Sequence, residues 1–95
     1  MPGKNTRKQS PKKRVYFKFT APEAREVKLC GTFNDWETDS RYLKKGKSGD
    51  WRTFMALEPG VYEYRFVVDG QWQNHPNSEL VPNAYGTDNC VRVVG

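Results

Sequence analysis

Residues 57–72, with the sequence LEPGVYEYRFVVDGQW, contain the signals that decide the fold. Glu58-Pro59-Gly60 predicts a tight turn, and the run from Val61 to Val68 is the strongest strand candidate in the chain. Asp69-Gly70 is a two-residue hairpin signal, after which Gln71-Trp72-Gln73 returns along the preceding strand. This stretch therefore predicts two antiparallel strands joined by a tight turn.

The start of this strand has the pattern of a tyrosine corner. In that motif a Tyr near the beginning of a strand turns inward and its hydroxyl bonds to backbone just upstream, a hallmark of immunoglobulin-like sandwiches. If Tyr62 points inward, alternation along the strand divides the following residues between the two faces. The inward set is Tyr64, Phe66 and Val68, and the outward set is Glu63, Arg65 and Val67.

The hairpin also predicts where Trp72 projects. A two-residue loop at Asp69-Gly70 pairs Val67 with Trp72, and paired residues project to the same face of a sheet. Trp72 then stands on the outer face with Arg65 as a diagonal neighbour. An outward Trp beside an outward Arg favours a ligand platform, and the alternative is a partly exposed Trp that packs on a loop.

Other segments repeat the strand pattern between turn residues, without a helical period of useful length. Alternating or apolar runs predict further strands at Val15–Thr20, Val27–Cys30, Arg41–Lys45, Trp51–Leu57 and Asn89–Val94, and a long polar loop at Asn74–Asp88. About seven short antiparallel strands predict an all-β sandwich.

Charge divides the chain of 95 residues into two parts, 1–14 and 15–95. Six basic residues and no acidic residue lie in 1–14, whereas 15–95 holds 10 basic and 11 acidic side chains. We expect 1–14 to be a disordered basic tail, with a docking arm for an anionic partner as the alternative. The near-neutral charge of the 15–95 domain argues against nucleic acid as its partner.

The sequence shows neither an apolar secretory segment nor a stretch that approaches the length of a membrane span. We therefore expect a cytoplasmic protein in which Cys30 and Cys90 are reduced thiols. The cysteines lack metal-ligand spacing, and we interpret His75 as a solvated loop residue. The prediction is that the chain holds no metal and no cofactor.

Exposed aromatic residues need a reason, and sugar binding supplies one. A flat indole offers apolar area to the C–H face of a pyranose ring, while Arg and Asn donate and accept hydrogen bonds at its hydroxyl rim. Two indoles set at an angle would suit the curved path of an α-1,4-glucan. Trp51, in contrast, lies in a predicted strand, and we interpret it as a structural residue.

Two segments together resemble a known family. Residues 26–36 (EVKLCGTFNDW) and 60–72 (GVYEYRFVVDGQW) resemble the family 48 carbohydrate-binding module, which is the early-set, immunoglobulin-like glycogen-binding domain. That domain occurs in the β-subunit of AMP-activated protein kinase and ahead of the barrels of isoamylase and branching enzymes. The resemblance covers Val15 to Val94 and implies an early-set β-sandwich.

The resemblance also implies which residues bind carbohydrate. The two stacking tryptophans of the family fall on Trp36 and Trp72, and its basic hydrogen-bonding residue falls on Arg65, where the kinase subunit has Lys. Tyr85 matches a side chain that inserts into the curve of the glucan, where the kinase subunit has Leu. The closing polar residues of the family match Thr87 and Asn89.

These observations favour a non-catalytic module that binds glycogen, starch or maltodextrins. Glycoside hydrolysis needs two carboxylates across a cleft, and a domain of this size offers little cleft to hold them. The alternative is a protein–protein interaction module on the same fold, as a regulatory or scaffolding domain of a kinase or a glucan-metabolising enzyme. Single-stranded nucleic acid would use surface aromatics, but the strands carry no basic-aromatic motif of that kind.

Overall fold

The computed structural model describes residues 11–76 and 78–95, so most of the predicted tail, residues 1–10, lies outside the described residues. It contains eight strands: β1 Lys13–Thr20, β2 Val27–Gly31, β3 Lys44–Lys45, β4 Asp50–Leu57, β5 Gly60–Val68, β6 Gln71–Gln73, β7 Glu79–Pro82 and β8 Asp88–Val94. A 3₁₀ turn, Thr32–Asn34, follows β2. The described part of the chain is all-β, as predicted.

The strands form two antiparallel sheets, consistent with an immunoglobulin-like sandwich. The first sheet has the order β1-β4-β3, and the second has the order β2-β5-β8-β7. Strand β6 pairs with the last three residues of β5, and β8 pairs with the first five residues of β5. The hairpin β5–β6 therefore lies beside β8 in the second sheet.

Apolar residues alternate with exposed residues in β1 and β4, which places the core between the two sheets. In β1, Val15, Phe17 and Phe19 are buried while the residues between them are exposed. Phe17 lies 5.1 Å from the Tyr64 ring and Phe19 lies 4.7 Å from the Phe66 ring, centroid to centroid. Interlocked aromatic rings of this kind join the first sheet to the second.

Both local predictions for residues 57–72 are confirmed. The Tyr62 hydroxyl donates to the carbonyl oxygen of Glu58 at 2.6 Å, which is the tyrosine corner. Asp69 and Gly70 both adopt positive φ, as a two-residue hairpin of type I′ requires. The hairpin pairs Val67 with Trp72, the predicted register.

Strands β2, β4, β5 and β8 differ from the prediction by one residue at one end, and three other differences are larger. Strand β1 begins two residues before Val15, and only Lys44 and Lys45 of the predicted third strand form a ladder. The predicted loop at 74–88 contains β7, which the sequence analysis missed. Only one side chain of this strand is even partly buried, so it lacks the alternation that marks a strand, and its pairing with β8 creates it.

Two side chains are more buried than their local patterns suggest: the outward projection predicted for Val67 is confirmed, whereas the solvated position predicted for His75 was wrong. Val67 projects to the outer face, but it is only 5% exposed because Lys28 and Trp72 flank it on the neighbouring strands. His75 is partly buried, with its ring 6.5 Å from that of Phe66, and is not a solvated loop residue. Packing across the sheet, which no local pattern reveals, decides both positions.

The two cysteines are buried free thiols. Cys30 pairs with Arg65 and Cys90 pairs with Tyr64, so the thiols lie on opposite faces of the second sheet. Burial raises the pKa of the Cys30 thiol. No helix within residues 11–76 and 78–95 is long and apolar enough to cross a bilayer.

Candidate functional site

An open groove of about 970 Å³ lies on the outer face of the second sheet. Its walls come from the loop after β2, the strands β5, β6 and β8, and the turn between β7 and β8. The groove is lined by Trp36, Glu63, Arg65, Trp72, Pro82, Asn83, Ala84, Tyr85, Thr87 and Asn89. The structure therefore brings together all six residues that the sequence analysis selected as candidates.

Trp72 and Arg65 form the floor of this groove. Trp72 is 43% exposed although it lies in a paired strand, because it projects away from the core beside Val67. The Arg65 guanidinium carbon lies 5.7 Å from the centroid of the Trp72 ring. A cation at this distance from an indole face is within the range of a favourable cation–π contact.

The loop after β2 holds Trp36 in an uncommon backbone conformation. Asp35 and Trp36 both adopt left-handed φ, at 54° and 60°. Asn34 stabilises the loop: its Oδ1 accepts from the Gly31 amide at 3.0 Å, and its Nδ2 donates to Ser40 Oγ at 2.8 Å. A bulky residue with positive φ is rare, and such strained residues cluster at functional sites.

Gly31 is required for this loop to sit against the sheet. A Cβ atom at this position would lie 2.5 Å from the carbonyl oxygen of Glu63 in β5. Thr32 next to it accepts a hydrogen bond from the Glu63 amide at 3.3 Å. The close approach of the two backbones carries Trp36 to the side of the sheet on which Trp72 stands.

The two indoles lie at an angle to each other. The ring centroids of Trp36 and Trp72 are 6.5 Å apart, and the ring planes meet at 49°. A flat ligand would contact only one of two rings tilted in this way. A ligand that curves can contact both, because successive units of a curved chain turn relative to one another.

Asn83 organises the turn that forms the other wall, and the sequence analysis missed it. Its Oδ1 accepts from the backbone amides of Tyr85 at 2.9 Å and Thr87 at 3.2 Å. Its Nδ2 donates to Thr87 Oγ1 at 2.8 Å and to Asn89 Oδ1 at 2.9 Å. The segment Pro82-Asn83-Ala84-Tyr85-Gly86 is a typical turn sequence in which Asn bonds to backbone two residues on, and that signal could have identified it.

A second set of hydrogen bonds holds Arg65 in place. Its Nε donates to Asn74 Oδ1 at 2.7 Å and its Nη1 donates to Thr87 Oγ1 at 3.3 Å. Asn74 in turn donates to the backbone oxygen of Asp88 at 2.9 Å. No protein acceptor for Arg65 Nη2 lies among the described residues, so this nitrogen is available to a ligand.

The charges in the groove balance. Arg65 is its one cation and Glu63 its one carboxylate among the described residues that line it. Glu63 Oε1 accepts a hydrogen bond from Asn89 Nδ2 at 3.0 Å. Tyr85, at the rim, is 91% exposed. An arrangement of two indoles, hydroxyl, amide and guanidinium groups with little net charge suits a neutral ligand that is rich in hydroxyl groups.

The described residues contain no group of three His, Cys, Asp or Glu side chains that could hold a metal ion. The single carboxylate in the groove also gives no pair of acids across a cleft. The side chains that line the groove offer stacking and hydrogen bonding to a ligand.

Residues 14–95 match the family model described as the glycogen recognition site of AMP-activated protein kinase. The SNF1-related protein kinase regulatory subunit beta-2 of Arabidopsis thaliana is 40% identical over 62 residues, which are 65% of this chain and 21% of that protein. The chloroplastic protein FLOURY ENDOSPERM 6 of Oryza sativa subsp. japonica is 38% identical over 79 residues, 83% of this chain and 15% of that protein.

A third relative is an enzyme. The 1,4-alpha-glucan branching enzyme GlgB of Trichodesmium erythraeum is 35% identical over 74 residues, 77% of this chain and 9% of that protein. The chain thus spans about a fifth or less of the length of these curated relatives.

Proposed function

The chain belongs to the carbohydrate-binding family described by the glycogen recognition site of AMP-activated protein kinase, and on that premise we propose that its groove binds α-1,4-linked glucan. The observation that carries the proposal is the pair of indoles that line the groove, the half-buried Trp36 and the exposed Trp72, whose ring centroids lie 6.5 Å apart and whose planes are tilted by 49°. Glycogen, starch and maltodextrins share the curved α-1,4-linked chain that this tilt fits.

Trp36 and Trp72 are the stacking residues in this proposal. Each indole contacts the C–H face of a glucose ring, and stacking of a flat ligand ring on an aromatic side chain is worth about 1–3 kcal/mol in the analogous case of nucleobases. The contact area forms at low entropic cost because the indoles are rigid. Two such contacts supply most of the affinity that we expect.

Polar groups of the groove bind the hydroxyl rim. Arg65 Nη2 donates to a sugar hydroxyl while Nε and Nη1 stay bonded to Asn74 and Thr87. Thr87 and Asn89 complete the polar wall, and both are already positioned by Asn83. Because these groups are ordered before the ligand arrives, binding costs less conformational entropy. Tyr85 contacts the inner curve of the glucan from the rim.

We assign the module no catalytic role of its own. Glu63 is the one carboxylate among the described groove residues, and it is engaged with Asn89. Glycoside hydrolysis normally uses two carboxyl groups on either side of the scissile bond. The module then serves to bring its glucan close to another activity.

The relatives suggest where that activity resides. They include a protein kinase regulatory subunit and a glucan branching enzyme, each much longer than the matched segment. We propose that this module works with a kinase or a glucan-metabolising enzyme, in the same chain or in a complex. We propose the cytoplasm as its location, and note that FLOURY ENDOSPERM 6 and a second relative, of Arabidopsis thaliana, are named as chloroplastic.

The proposal is tested by titrating the isotope-labelled protein with maltoheptaose and β-cyclodextrin and recording which backbone and indole resonances shift. We expect shifts at Trp36, Arg65, Trp72 and the 83–89 turn, and none with cellohexaose, whose β-1,4-linked chain is straighter. Replacing Trp36 or Trp72 by Ala should weaken binding by about five- to 150-fold, the equivalent of one stacked ring.

Phe54→Ala is the matched control for Trp72→Ala, because Phe54 is 50% exposed, close to the 43% of Trp72, but lies on the first sheet. Its affinity for maltoheptaose should stay within about twofold of the unmodified chain. Unchanged affinity in both Trp variants would disprove this groove as the glucan site. Equal binding of cellohexaose would disprove the specificity for α-1,4 linkage.

A further inference from the structure

The outer face of the first sheet carries a second pair of exposed aromatic side chains, far from the groove. Tyr16 in β1 and Phe54 in β4 are paired across the strands, and their ring centroids lie 5.7 Å apart. They are 60% and 50% exposed. Contiguous exposed apolar side chains mark an interaction site more often than single exposed residues do.

Basic side chains flank this aromatic pair on both sides along the strands. In one direction Lys18 pairs with Arg52, which pairs with Lys44, so three cations form a row across the sheet. In the other direction lies Arg14, whose guanidinium carbon is 4.8 Å from the Phe54 ring centroid. We name the set Arg14, Tyr16, Lys18, Lys44, Arg52 and Phe54 the first-sheet face.

The cation row is destabilising for the isolated domain, because like charges placed directly opposite each other on a sheet repel. Among the described residues, Arg52 has one acidic neighbour on this face, Asp50, at 3.6 Å. Four basic side chains against one acidic side chain leave this face with a net positive charge. A cost of this kind is expected where the charges serve an external ligand.

Protection of sheet edges explains only part of the row. Lysines on edge strands prevent edge-to-edge aggregation, and β1 and β3 are the edges of this sheet. Arg52, however, lies in β4 and is paired on both sides, with Lys18 and with Lys44. Phe54 also lies in β4, where it is paired with Tyr16. A charge and an exposed ring on the central strand need another explanation.

The spacing of the first-sheet face matches an extended peptide. Its three rows of side chains, at Arg14, Tyr16 and Lys18, are two residues apart, or about 6.6 Å. An extended segment presents its own alternate side chains at the same interval. Acidic, apolar and acidic side chains at positions i, i+2 and i+4 would meet cation, aromatic pair and cation in turn.

We infer that the first-sheet face docks an extended acidic segment of a partner protein, in which an apolar residue is flanked at i±2 by carboxylates. The face lies on the opposite side of the sandwich from the groove, so the peptide and the glucan bind at the same time. This inference does not depend on the proposed glucan function, and each can fail alone.

Nucleic acid fits this face less well. Base stacking needs an open ring face, and here the two rings are tilted against each other while Arg14 lies over Phe54. The row of cations also runs across the strands and contains only three side chains, one from each strand of the sheet. The test therefore includes an oligonucleotide as an alternative ligand.

The test uses the full chain, isotope-labelled, and the synthetic peptide acetyl-GDTLTDG-amide. We expect resonances of Tyr16, Lys18, Arg52 and Phe54 to shift, while those of the groove do not. The control peptide acetyl-GNTLTNG-amide should bind at least about fivefold more weakly, because it lacks the charges. Raising NaCl from about 50 to about 500 mM should weaken binding of the acidic peptide by a similar factor.

Variants test whether peptide binding depends on the first-sheet face itself or on the overall basic charge of the chain. Lys18→Glu and Arg52→Glu should each abolish the shifts, and Phe54→Ala should weaken binding by about threefold or more. Arg25→Glu is the charge-matched control, because Arg25 is exposed in the turn between β1 and β2, and it should leave binding unchanged. Circular dichroism verifies that each variant folds. If either Glu variant fails to fold, Arg52→Gln is tested in its place.

Several outcomes would overturn the inference. They are an absence of shifts at about 2 mM peptide, equal binding of the uncharged peptide, and shifts that map to residues 1–10 instead of the first-sheet face. Tighter binding of a ten-residue oligothymidylate at the same residues would assign the face to nucleic acid. Loss of peptide binding when maltoheptaose is added would show that the two ligands share one site.

Discussion

Each of the two outer faces of the sandwich carries a pair of neighbouring aromatic rings, Trp36 with Trp72 on one and Tyr16 with Phe54 on the other, and these pairs differ in their surroundings. Around Trp36 and Trp72 the polar side chains bond to one another, as Arg65 does to Asn74 and Thr87. Around Tyr16 and Phe54 the neighbours are cations, with one acidic side chain in salt-bridge range among the described residues. One face is a hydrogen-bonded groove and the other is a charged, open sheet surface.

The difference indicates what each face can recognise. A neutral ligand rich in hydroxyls is selected by the direction of donors and acceptors, so the groups that bind it must be held in place. An anionic ligand is attracted by charge, which acts over distance and needs little orientation. Geometry should therefore dominate binding in the groove, and net charge should dominate on the first-sheet face.

The largest effect is expected at a tryptophan that belongs to neither face. Trp51 is buried at 7% exposure between the sheets, and its Nε1 donates to the Ala21 carbonyl oxygen at 2.8 Å. Trp51→Ala should lower the free energy of unfolding by about 3–5 kcal/mol through a core cavity. Trp72→Ala should lower it by about 1 kcal/mol or less. Urea denaturation of both variants measures this, and equal destabilisation would contradict the surface placement of Trp72.

Asn83 tests whether order in the groove matters. Asn83→Ala removes the hydrogen bonds to Tyr85, Thr87 and Asn89, and we expect affinity for maltoheptaose to fall by about tenfold, or 1.4 kcal/mol. Asn83→Asp keeps the acceptor for the two backbone amides and should recover part of the loss. Calorimetric titration gives the affinities. If Asn83→Ala binds maltoheptaose with unchanged affinity and shows the same shift of the Trp72 indole resonance, the turn plays no part in binding.

Replacing Arg by Lys sharpens the contrast between geometry and charge. Arg65→Lys keeps the charge but cannot bond to Asn74 and Thr87 in the same way, because an ammonium lacks the planar fork of a guanidinium. We expect maltoheptaose to bind about threefold more weakly. Arg52→Lys on the first-sheet face should leave binding of the acidic peptide within about twofold, since charge suffices there. The opposite pattern of losses would reverse the roles assigned to the two faces.

Salt gives the smallest expected effect in the groove. A glucan carries no charge, so raising NaCl from about 50 to about 500 mM should change maltoheptaose affinity by less than about twofold. Nucleic acid bound in the groove would lose affinity steeply over the same range. Parallel calorimetric titrations with maltoheptaose and the acidic peptide provide the comparison. A strong salt dependence for maltoheptaose would point to an indirect effect on the fold.

Several features of the fold and the groove follow from the sequence alone. The Asp69-Gly70 turn sets the register of its hairpin, so the outward position of Trp72 and its proximity to Arg65 are predictable. The tyrosine corner at Tyr62 is equally local, since its partner Glu58 lies four residues upstream. Turn chemistry and strand alternation are properties of neighbouring residues, and they need no knowledge of the rest of the chain.

Other features depend on segments that are distant in sequence, and only the tertiary structure decided them. Strand β7 exists because β8 pairs with it. The tilt between Trp36 and Trp72 depends on how the loop after β2 packs on β5. The burial of Val67 depends on both flanking strands. The registers of strands joined by tight turns are encoded locally. The angle between two rings 36 positions apart is set by packing, which is the sum of many contacts that no short stretch of sequence contains.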